Sequence, residues 1–302
     1  MIKQAELVAR LDTFFNVAAF DESSGRRFFP AGYESMFEHF AAPGFLTGSW
    51  NGLMLDNAKD LDRVYLIVFP AQSVLDEIIA REVERGAPGA MIFCHHVCDY
   101  RESGPGFVPM PEVQLEELKE HHISYYVCHA PLDVNKEIST ASALADMLKL
   151  GDQERFVSYM GGFAGLHGKI NAMGFNDFAR RVAEATALPL LRYDAIRHNG
   201  RPVQHVAVVT GGRAEPEVIR EAANLGCDTF VAGEWWLFGP GEWRVSHREE
   251  ARILLTDSSI NLIGTSHYAS EAVVMRAVMP DWFYGFTPGV EPIFVGQADP
   301  WR

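Results

Sequence analysis

The sequence has few cysteines and no long apolar run, and each of these features argues against a class of protein. Four cysteines in 302 residues are too few for a disulfide-rich scaffold, and we interpret them as reduced thiols of a cytoplasmic protein. No stretch of ~18 consecutive apolar residues occurs, so we predict no membrane-spanning helix and no membrane partner. Residues 1–15 have the pattern of an amphipathic helix, and their acidic residues and short apolar stretches argue against a secretory signal peptide.

Positive charge is also scarce. The chain has 26 Lys and Arg residues against 40 Asp and Glu residues, a formal net charge of −14, and no basic cluster stands out. Proteins that bind a nucleic-acid backbone need a positively charged surface, so we predict that nucleic acid is not a partner. A hydrophobic fraction of 48% and a charged fraction of 22% are typical of a globular protein. The length allows one large domain or two modest ones.

Strands and helices alternate in the first half of the sequence. Short apolar runs, typical of buried strands, are separated by stretches in which apolar residues recur at helical spacing. The predicted elements are a strand at 64–69, a helix at 71–85, a strand at 90–94, a helix near 111–121 and a strand at 123–128. This order is typical of a parallel sheet covered by helices.

The second half repeats this order. Its predicted elements are a strand at 206–210, a helix at 215–225, a strand at 229–232, a helix near 247–255 and a strand at 260–264. The spacing is similar too, since Val64 to His95 spans 31 positions and Val206 to Glu234 spans 28. We therefore predict an α/β fold of two halves related by internal duplication, residues 1–150 and 151–302. The second half begins with a connecting segment, 151–204, interpreted as glycine-rich turns and a helix at about 175–187.

Histidine and carboxylate side chains follow the predicted strands. The residues at four strand ends are His95 and His96, His129 and Asp133, Glu234, and His267 and Glu271. Ligands of parallel α/β sheets collect at the carboxyl ends of the strands, where these residues would lie. Because imidazole and carboxylate groups suit Zn, Fe, Mn and similar divalent ions, the pattern predicts a metal site at this edge.

The adjacent histidines constrain the kind of metal site. Consecutive side chains of a strand point to opposite faces, so His95 and His96 cannot easily bind one ion unless the strand has ended. They could instead hold one ion each, which suits a two-metal centre. The alternative is a pair of polar residues that merely close a strand.

The other candidate ligands are individually weak signals. His267 and Glu271 stand four residues apart, a spacing that places both side chains on one face of a helix. They could equally form a surface pair. Asp133 follows Pro131, and by itself it is typical of a turn or cap residue.

Several other residues have alternative interpretations. Cys94, Cys98 and Cys128 could form a zinc site with the histidines, but Cys94 and Cys128 fall in apolar runs, where buried inert thiols are usual. Gly211 and Gly212 follow a strand without the rest of a phosphate-binding motif, which predicts a tight turn. Three tryptophans could stack on a flat ligand, although core or interface packing is the commoner role of such residues; they are Trp235, Trp236 and Trp243. No role is predicted for His39, His198, His205 or His247.

Seven segments occur in a recognisable order: NGL (51–53), CHHVCDY (94–100), CHAPLDVN (128–135), GLHGKI (165–170), VAVVTGG (206–212), DTFVAGE (228–234) and SHYASE (266–271). Together they resemble the NIF-three-like (YbgI-type) family of dinuclear metal proteins, many of which carry the name of type-two GTP cyclohydrolase homologues. The resemblance spans nearly the whole chain. It implies two related, interlocked α/β halves, often assembled into a homohexameric ring, in the compact form without an inserted domain.

The resemblance also implies a role for each strand-end residue. Two divalent metal ions would be bound by five ligands, His95, His96, Asp133, His267 and Glu271, with Glu271 as the bridge. His129 and Glu234 would line the cavity without being obligatory ligands. Our leading hypothesis is a metal-dependent hydrolase that acts on a nucleotide, phosphoester or cyclic amide, with His129 or Glu234 as the proton carrier.

Two other kinds of function remain open. One is a non-enzymatic metal-binding or metal-handling protein, or a ring that binds a partner, and the other is a metal-free α/β scaffold. The sequence also departs from the family pattern: Val97 stands where proline is usual, and residues 137–145, 211–215 and 234–243 differ from the usual segments. The five proposed ligands are intact. What binds beside the metals can therefore differ from what typical members bind.

Overall fold

The computed structural model describes residues 1–87, 89–194, 200–234 and 242–301. Its strands are Ile2–Lys3 (β1), Gly52–Leu55 (β2), Asp60–Leu61 (β3), Arg63–Ile67 (β4), Ala90–Cys94 (β5), Asp99–Arg101 (β6), Gly106–Val108 (β7), Ile123–Val127 (β8), Gly151–Tyr159 (β9), Gly162–Met173 (β10), Arg192–Asp194 (β11), Val203–Val209 (β12), Thr229–Ala232 (β13), Asn261–Gly264 (β14) and Glu291–Phe294 (β15). Its α-helices are Gln4–Phe14 (α1), Tyr33–Phe37 (α2), Gln72–Arg85 (α3), Glu112–Glu120 (α4), Ala130–Asp133 (α5), Thr140–Met147 (α6), Phe175–Thr186 (α7), Pro216–Asn224 (α8), Glu242–Asp257 (α9), His267–Ala277 (α10) and Met279–Phe286 (α11). Among the described helices, none has the length and apolar character needed to cross a membrane.

The chain forms two compact units that are not continuous in sequence. The first consists of residues 1–100, 107–135 and 275–298. The second consists of residues 101–106 and 136–274 and of the C-terminal residues from Asp299.

A five-stranded sheet, in the order β15-β4-β5-β8-β2, forms the centre of the first unit. Strands β15, β4, β5 and β8 are parallel, as the alternation of strands and helices predicts, and β2 is an antiparallel edge strand. Strands β5 and β8 are buried at every position, which explains why their sequences are continuous apolar runs. Strand β15 comes from the C-terminal part of the chain and pairs with β4.

Helix α3 packs against this sheet through one apolar face. Its apolar residues recur at helical spacing, and Val74, Leu75, Ile78 and Ile79 are buried in the core against the sheet. The helix ends at Gly86, whose φ of +63° lies in the left-handed region that glycine adopts without strain. Truncating one of the fully buried side chains to alanine would cost about 2–5 kcal/mol of stability.

A six-stranded sheet, in the order β11-β14-β13-β12-β10-β9, forms the centre of the second unit. Strands β12, β13 and β14 are parallel, and the three remaining strands pair antiparallel at the two sides. The predicted strand–helix order of the second half is confirmed, as is the helix predicted at about 175–187.

The glycine-rich stretch around residues 160–170, predicted as turns, is instead the long strand β10, which forms a hairpin with β9. Only the turn itself needs a left-handed glycine, Gly161, with φ +79°. Gly165 and Gly168 lie within the strand, where a Cβ would come to 2.7 Å from the ring of Phe156 and to 2.6 Å from the carbonyl oxygen of Gly151 respectively. These glycines permit close approach of β9 and do not break the strand.

Candidate metal centre

Strand β5 of the first unit ends on two buried histidines. The backbone N–H groups of His95 and His96 donate to the carbonyl oxygens of Ile67 and Val68, at 3.2 and 3.1 Å. Their rings nevertheless lie on the same side of the chain, with centroids 4.5 Å apart, since the regular strand ends at Cys94. The opposite faces expected of a continuing strand therefore do not apply, and both imidazoles can reach one small region.

His95 has the orientation of a metal ligand. Its Nδ1 lies 2.8 Å from the carbonyl oxygen of Cys128, and because a carbonyl only accepts, Nδ1 carries the hydrogen and donates it. Nε2 then holds the lone pair of the ring, and it lies 3.5 Å from Oδ1 of Asp133. Metal-binding histidines are commonly held in this way, with one ring nitrogen bonded to a protein oxygen and the other directed at the ion.

Asp133 is brought to His95 by the short helix α5. The helix begins after His129 with Pro131 in its first turn, where a missing N–H costs nothing. The backbone N–H of Asp133 donates to the carbonyl oxygen of His129 at 3.1 Å. The turn predicted from Pro131 thus positions a carboxylate beside an imidazole.

His129 completes a group of three imidazoles in the first unit. Its ring centroid lies 4.9 Å from that of His95 and 4.7 Å from that of His96. One nitrogen from each of the three rings falls within 4.8 Å of the others. The geometry therefore allows His129 to act either as a ligand or as a proton carrier beside the ligands.

Glu22 holds His129 in place, and no signal in the sequence predicts it. One carboxylate oxygen lies 2.5 Å from Nδ1 of His129, and the other accepts from the side chain of Asn51 at 2.7 Å and from the backbone N–H of Ala130 at 3.0 Å. Asn51 also accepts the backbone N–H of His129 at 2.8 Å. Asn51 lies in the NGL segment (51–53), so the family motifs include Asn51 but not Glu22.

The environment of Glu22 keeps its side chain ionised. Burial by itself would raise the pKa, but the charge of His129 and the hydrogen bonds from His129, Asn51 and Ala130 outweigh it and lower the pKa to about 2. The carboxylate therefore stays negative at neutral pH and can stabilise positive charge on His129.

The buried thiols near the histidines do not favour the alternative Cys/His site. Burial, with the neighbouring charge of Asp99, raises the pKa of Cys98 to about 12, and burial raises the pKa of Cys128. The Cys94 thiol donates to the carbonyl oxygen of Val68 at 3.2 Å. These are the properties of inert buried cysteines, as predicted for Cys94 and Cys128.

In the second unit, His267 and Glu271 lie on one face of helix α10. Nε2 of His267 is 3.2 Å from Oε1 of Glu271, the contact that the four-residue spacing predicts. Nδ1 of His267 lies 2.7 Å from Oε1 of Glu234, which follows strand β13. The backbone N–H of His267 donates to the buried Glu102 at 3.0 Å, a contact without a sequence signal.

A glycine turn encloses this second set of side chains. Gly211 follows strand β12 with φ +64°, and a Cβ at this position would overlap the Glu271 carboxylate and come to 3.2 Å from Nε2 of His267. Its backbone N–H donates to the hydroxyl of Ser270 at 3.0 Å. The tight turn predicted at Gly211 and Gly212 therefore lets the backbone pack closely against an imidazole and a carboxylate.

The predicted ligands thus form two sets, each within one unit. His95, His96 and Asp133 lie together in the first, and His267 and Glu271 lie together in the second. Imidazole nitrogens together with carboxylates fit a divalent transition ion. His198, for which no role is predicted, lies outside the described residues. The same holds for Trp235, Trp236 and the side chain of Trp243, so the structure does not test their predicted stacking or packing roles.

Comparison with known proteins gives a family and several named relatives. The family description Duf34/NIF3 (NGG1p interacting factor 3) matches residues 34–284. A GTP cyclohydrolase 1 type 2 homolog from Yersinia pestis is 26% identical over 235 residues, which cover 76% of this chain and 82% of the relative. A protein of the same name from Pyrococcus horikoshii is 24% identical over 291 residues, 96% of each chain.

Solved structures share the fold. The ybgI protein matches with a TM-score of 0.68 at 22% identity, covering 99% of this chain and 100% of its own. A Bacillus cereus protein related to NIF3 matches with a TM-score of 0.60 at 16% identity, covering 90% of this chain and 99% of its own. Because the family match spans most of the sequence, the chain belongs to the Duf34/NIF3 (NGG1p interacting factor 3) family, as the resemblance of its motifs predicts.

Proposed function

We propose that this chain binds two divalent metal ions and hydrolyses a small molecule with their help. The orientation of His95 carries the proposal: Nδ1 donates to a backbone carbonyl at 2.8 Å, and Nε2 faces the Asp133 carboxylate at 3.5 Å. A histidine held in this way presents its lone pair in one direction, as a ligand must. The proposed ligands are His95, His96, Asp133, His267 and Glu271, with Glu271 shared by both ions.

The donor atoms favour zinc, iron or manganese. Imidazole suits zinc and iron, and the carboxylates of Asp133 and Glu271 suit harder ions such as manganese. When bound, a pair of such ions lowers the pKa of a shared water toward neutrality and polarises a carbonyl or phosphoryl oxygen.

His129 is the proposed proton carrier. Nδ1 faces the ionised Glu22 carboxylate at 2.5 Å and keeps its hydrogen, which leaves Nε2 as the nitrogen that can accept a proton. The carboxylate then stabilises the imidazolium that forms, as acidic partners of catalytic histidines do. Glu22 is therefore a positioning residue, since it acts through His129.

Glu234 contacts Nδ1 of His267 as Glu22 contacts Nδ1 of His129. Its carboxylate lies 2.7 Å from Nδ1 of His267, so that Nε2 is directed at Glu271. This contact favours a positioning role, and the alternative proton-carrying role of Glu234 remains part of the proposal. Removal of such an oxygen acceptor typically weakens metal binding or activity by about 10–100-fold.

The substrate class is proposed from the names of the relatives. Both curated relatives described above are named as homologues of a GTP cyclohydrolase, so a nucleotide is the first class to test. Phosphoesters and cyclic amides are the other classes, since a metal-activated water attacks phosphorus and carbonyl carbon alike.

A metal-handling protein without catalysis is the second candidate, and one observation favours it. Nitrogens of His95, His96 and His129 lie within 4.8 Å of one another, so three imidazoles can bind the same ion. An ion with all its positions taken by protein groups has no place for water or substrate, as in structural zinc sites.

The test has two stages. Elemental analysis of the purified full-length chain, and of the chain reloaded with zinc, iron or manganese, should give close to two ions per chain. A value near zero in metal-replete buffer would refute the metal proposal. The Asp133→Asn variant should lose metal, whereas the exposed His39→Ala variant should match the wild type.

The second stage separates the two candidates. The reloaded protein is incubated with nucleotides, phosphoesters and cyclic amides, and product formation is followed by chromatography. Turnover that disappears in Asp133→Asn but not in His39→Ala would support the hydrolase. Two tightly bound ions with no turnover of any class would favour the metal-handling protein.

A further inference from the structure

The second unit contains another group of metal-binding side chains, separate from the set around His267. It consists of His167 in strand β10, His205 in strand β12 and Cys227 between helix α8 and strand β13. One nitrogen of each histidine and the sulfur of the cysteine lie within 4.8 Å of one another. The proposed function above uses none of them.

The register of the sheet places the two histidines on one face. Strand β10 pairs antiparallel with β12 so that Lys169 lies opposite His205 and His167 lies opposite Ala207. His167 and His205 are therefore diagonal neighbours, a separation that aromatic side chains can bridge. On the other side of β10, Glu154 of strand β9 lies opposite His167 and shares the same face.

The loop that carries Cys227 is tied to the beginning of strand β12. The Asp228 carboxylate accepts the backbone N–H groups of Gln204 and His205, each at 2.9 Å, and the Asp228 N–H donates to the carbonyl oxygen of His205 at 2.9 Å. The N–H of Cys227 donates to the carbonyl oxygen of Ala222 at 3.1 Å. These bonds hold the sulfur beside the histidines without any contribution from an ion.

The hydrogen bonds of the rings define which nitrogens are available. Nδ1 of His205 donates to the carbonyl oxygen of Gly226 at 3.1 Å, so its Nε2 holds a lone pair. That nitrogen accepts from Nδ1 of His167 at 3.0 Å. Two nitrogens bound to one tetrahedral zinc at about 2.0–2.1 Å lie about 3.3 Å apart, so these two would have to separate by only a few tenths of an ångström. The Nδ1 hydrogen of His167 would move to its Nε2 when an ion binds, with no net change in protons on that ring.

We propose that His167, His205 and Cys227 form a mononuclear site for a zinc-class divalent ion. One thiolate with two imidazoles is a donor set that zinc prefers, and Glu154 or a water would take the fourth position. The ligands come from two strands and from the loop before a third, so the ion would tie together β10, β12 and the start of β13. His205 is partly exposed and gives the ion a path from solvent.

The protonation states of Cys227 and His167 are compatible with an ion that takes the place of the thiol proton. Burial, helped by Asp228, raises the pKa of Cys227 to about 12, so without metal the thiol keeps its hydrogen. Burial and the neighbouring His205 lower the pKa of His167 against the opposing effect of Glu154, which keeps the imidazole neutral and able to bind. Binding forms a metal–sulfur bond, breaks the S–H bond and releases one proton to solvent.

Cobalt titration of the full-length chain tests the site, because a thiolate bound to Co²⁺ gives a near-ultraviolet charge-transfer band that imidazole and carboxylate ligands do not give. We expect this band in the wild type and its loss on addition of Zn²⁺. The band should be absent in Cys227→Ser and present in Cys98→Ala, a buried cysteine of the first unit. Absence of the band in the wild type, or its persistence in Cys227→Ser, would overturn the proposal.

A second variant keeps the test decisive if Cys227→Ser does not fold. His205→Gln changes a partly exposed residue. It should weaken the Co²⁺ affinity, measured from the charge-transfer band, by at least about tenfold, since even the loss of an outer-shell partner of a ligand costs about 10–100-fold. Unchanged affinity in His205→Gln would also overturn the proposal. The ligand set proposed for the dinuclear centre contains no thiolate, so the band distinguishes failure of this site from failure of the proposed function.

Discussion

Replacing Glu22 by glutamine should destabilise the protein by an amount that depends on pH. The variant keeps an oxygen that can accept from Asn51 and Ala130 but removes the charge that faces His129. The pKa of Glu22 falls from 4.5 to about 2 in the folded chain, which corresponds to about 3 kcal/mol of stabilisation at neutral pH. The carboxylate is mostly buried, with 17% of its side chain exposed, so solvent screens little of this amount.

The sign of the pH dependence follows from a lowered carboxyl pKa. The stabilisation is complete above the unfolded value of 4.5 and is lost as the pH falls through the folded value of about 2. The difference in unfolding free energy between wild type and Glu22→Gln should therefore shrink from about 3 kcal/mol at pH 7 to about 1.5 kcal/mol at pH 3. Carboxylates that do not contact this cluster titrate alike in both proteins and cancel in this difference.

Urea denaturation followed by circular dichroism at both pH values measures this difference. Glu38→Gln, at an exposed glutamate of the same unit, is the matched control and should change stability by less than about 0.5 kcal/mol. A difference between wild type and Glu22→Gln that is equal at pH 7 and pH 3 would refute the reasoning, because it would show that the charge of Glu22 contributes nothing.

The remaining predictions concern the proposed centre and the assembly. Chelation of the metals should leave the far-ultraviolet circular dichroism spectrum native, since each unit has its own apolar core; an unfolded spectrum at room temperature would show that the ions are structural. Glu271→Gln should reduce the occupancy of both ions and His95→Ala mainly that of one, as measured by elemental analysis; equal losses in both variants would contradict the bridging role. His129→Ala should lower turnover by about 10²–10⁴-fold with nearly unchanged metal content, and loss of an ion would instead identify His129 as a ligand. Light scattering after size exclusion should show a homo-oligomer, a hexamer by family resemblance, and a monomer would contradict this.

The alternation of strands and helices can be predicted from the sequence because burial produces local patterns of apolar residues. Strands β5 and β8 are buried at every position and so appear as uninterrupted apolar runs. Helix α3 buries one face and shows the corresponding spacing, followed by the left-handed Gly86. These signals come from residues close together in the chain.

Other features of the fold depend on contacts between distant segments and produce no local pattern of residues. Strand β15 pairs with β4, although Glu291 and Arg63 are 228 positions apart, and no periodicity indicates which strand it joins. Strand β10 contains glycines that resemble turn residues, and only the positions of Phe156 and Gly151 on strand β9 show why they are needed. Long-range pairing therefore sets the limit of prediction from one sequence.

The candidate site shows the same limit. The spacing of His267 and Glu271 is local and predicts their contact, and the motifs predict the ligand set. Glu22 lies 107 positions from His129, in a segment with no recognisable pattern, so its role depends on the tertiary fold. The convergence of His95 and His96 likewise depends on where strand β5 ends.

Three histidines at the candidate centre share one arrangement, which links the fold to the proposed chemistry. In each, Nδ1 faces a protein oxygen within 2.8 Å and Nε2 remains for another role: His95 faces the Cys128 carbonyl, His129 faces Glu22 and His267 faces Glu234. A carbonyl only orients its histidine, whereas an ionised carboxylate also makes the imidazole more basic. His95, with the neutral partner, is thus better suited to ligation alone, and His129, with the carboxylate whose pKa is held at about 2, is better suited to accepting a proton. A carboxylate partner does not by itself exclude ligation, since His267, which faces Glu234, is one of the proposed ligands.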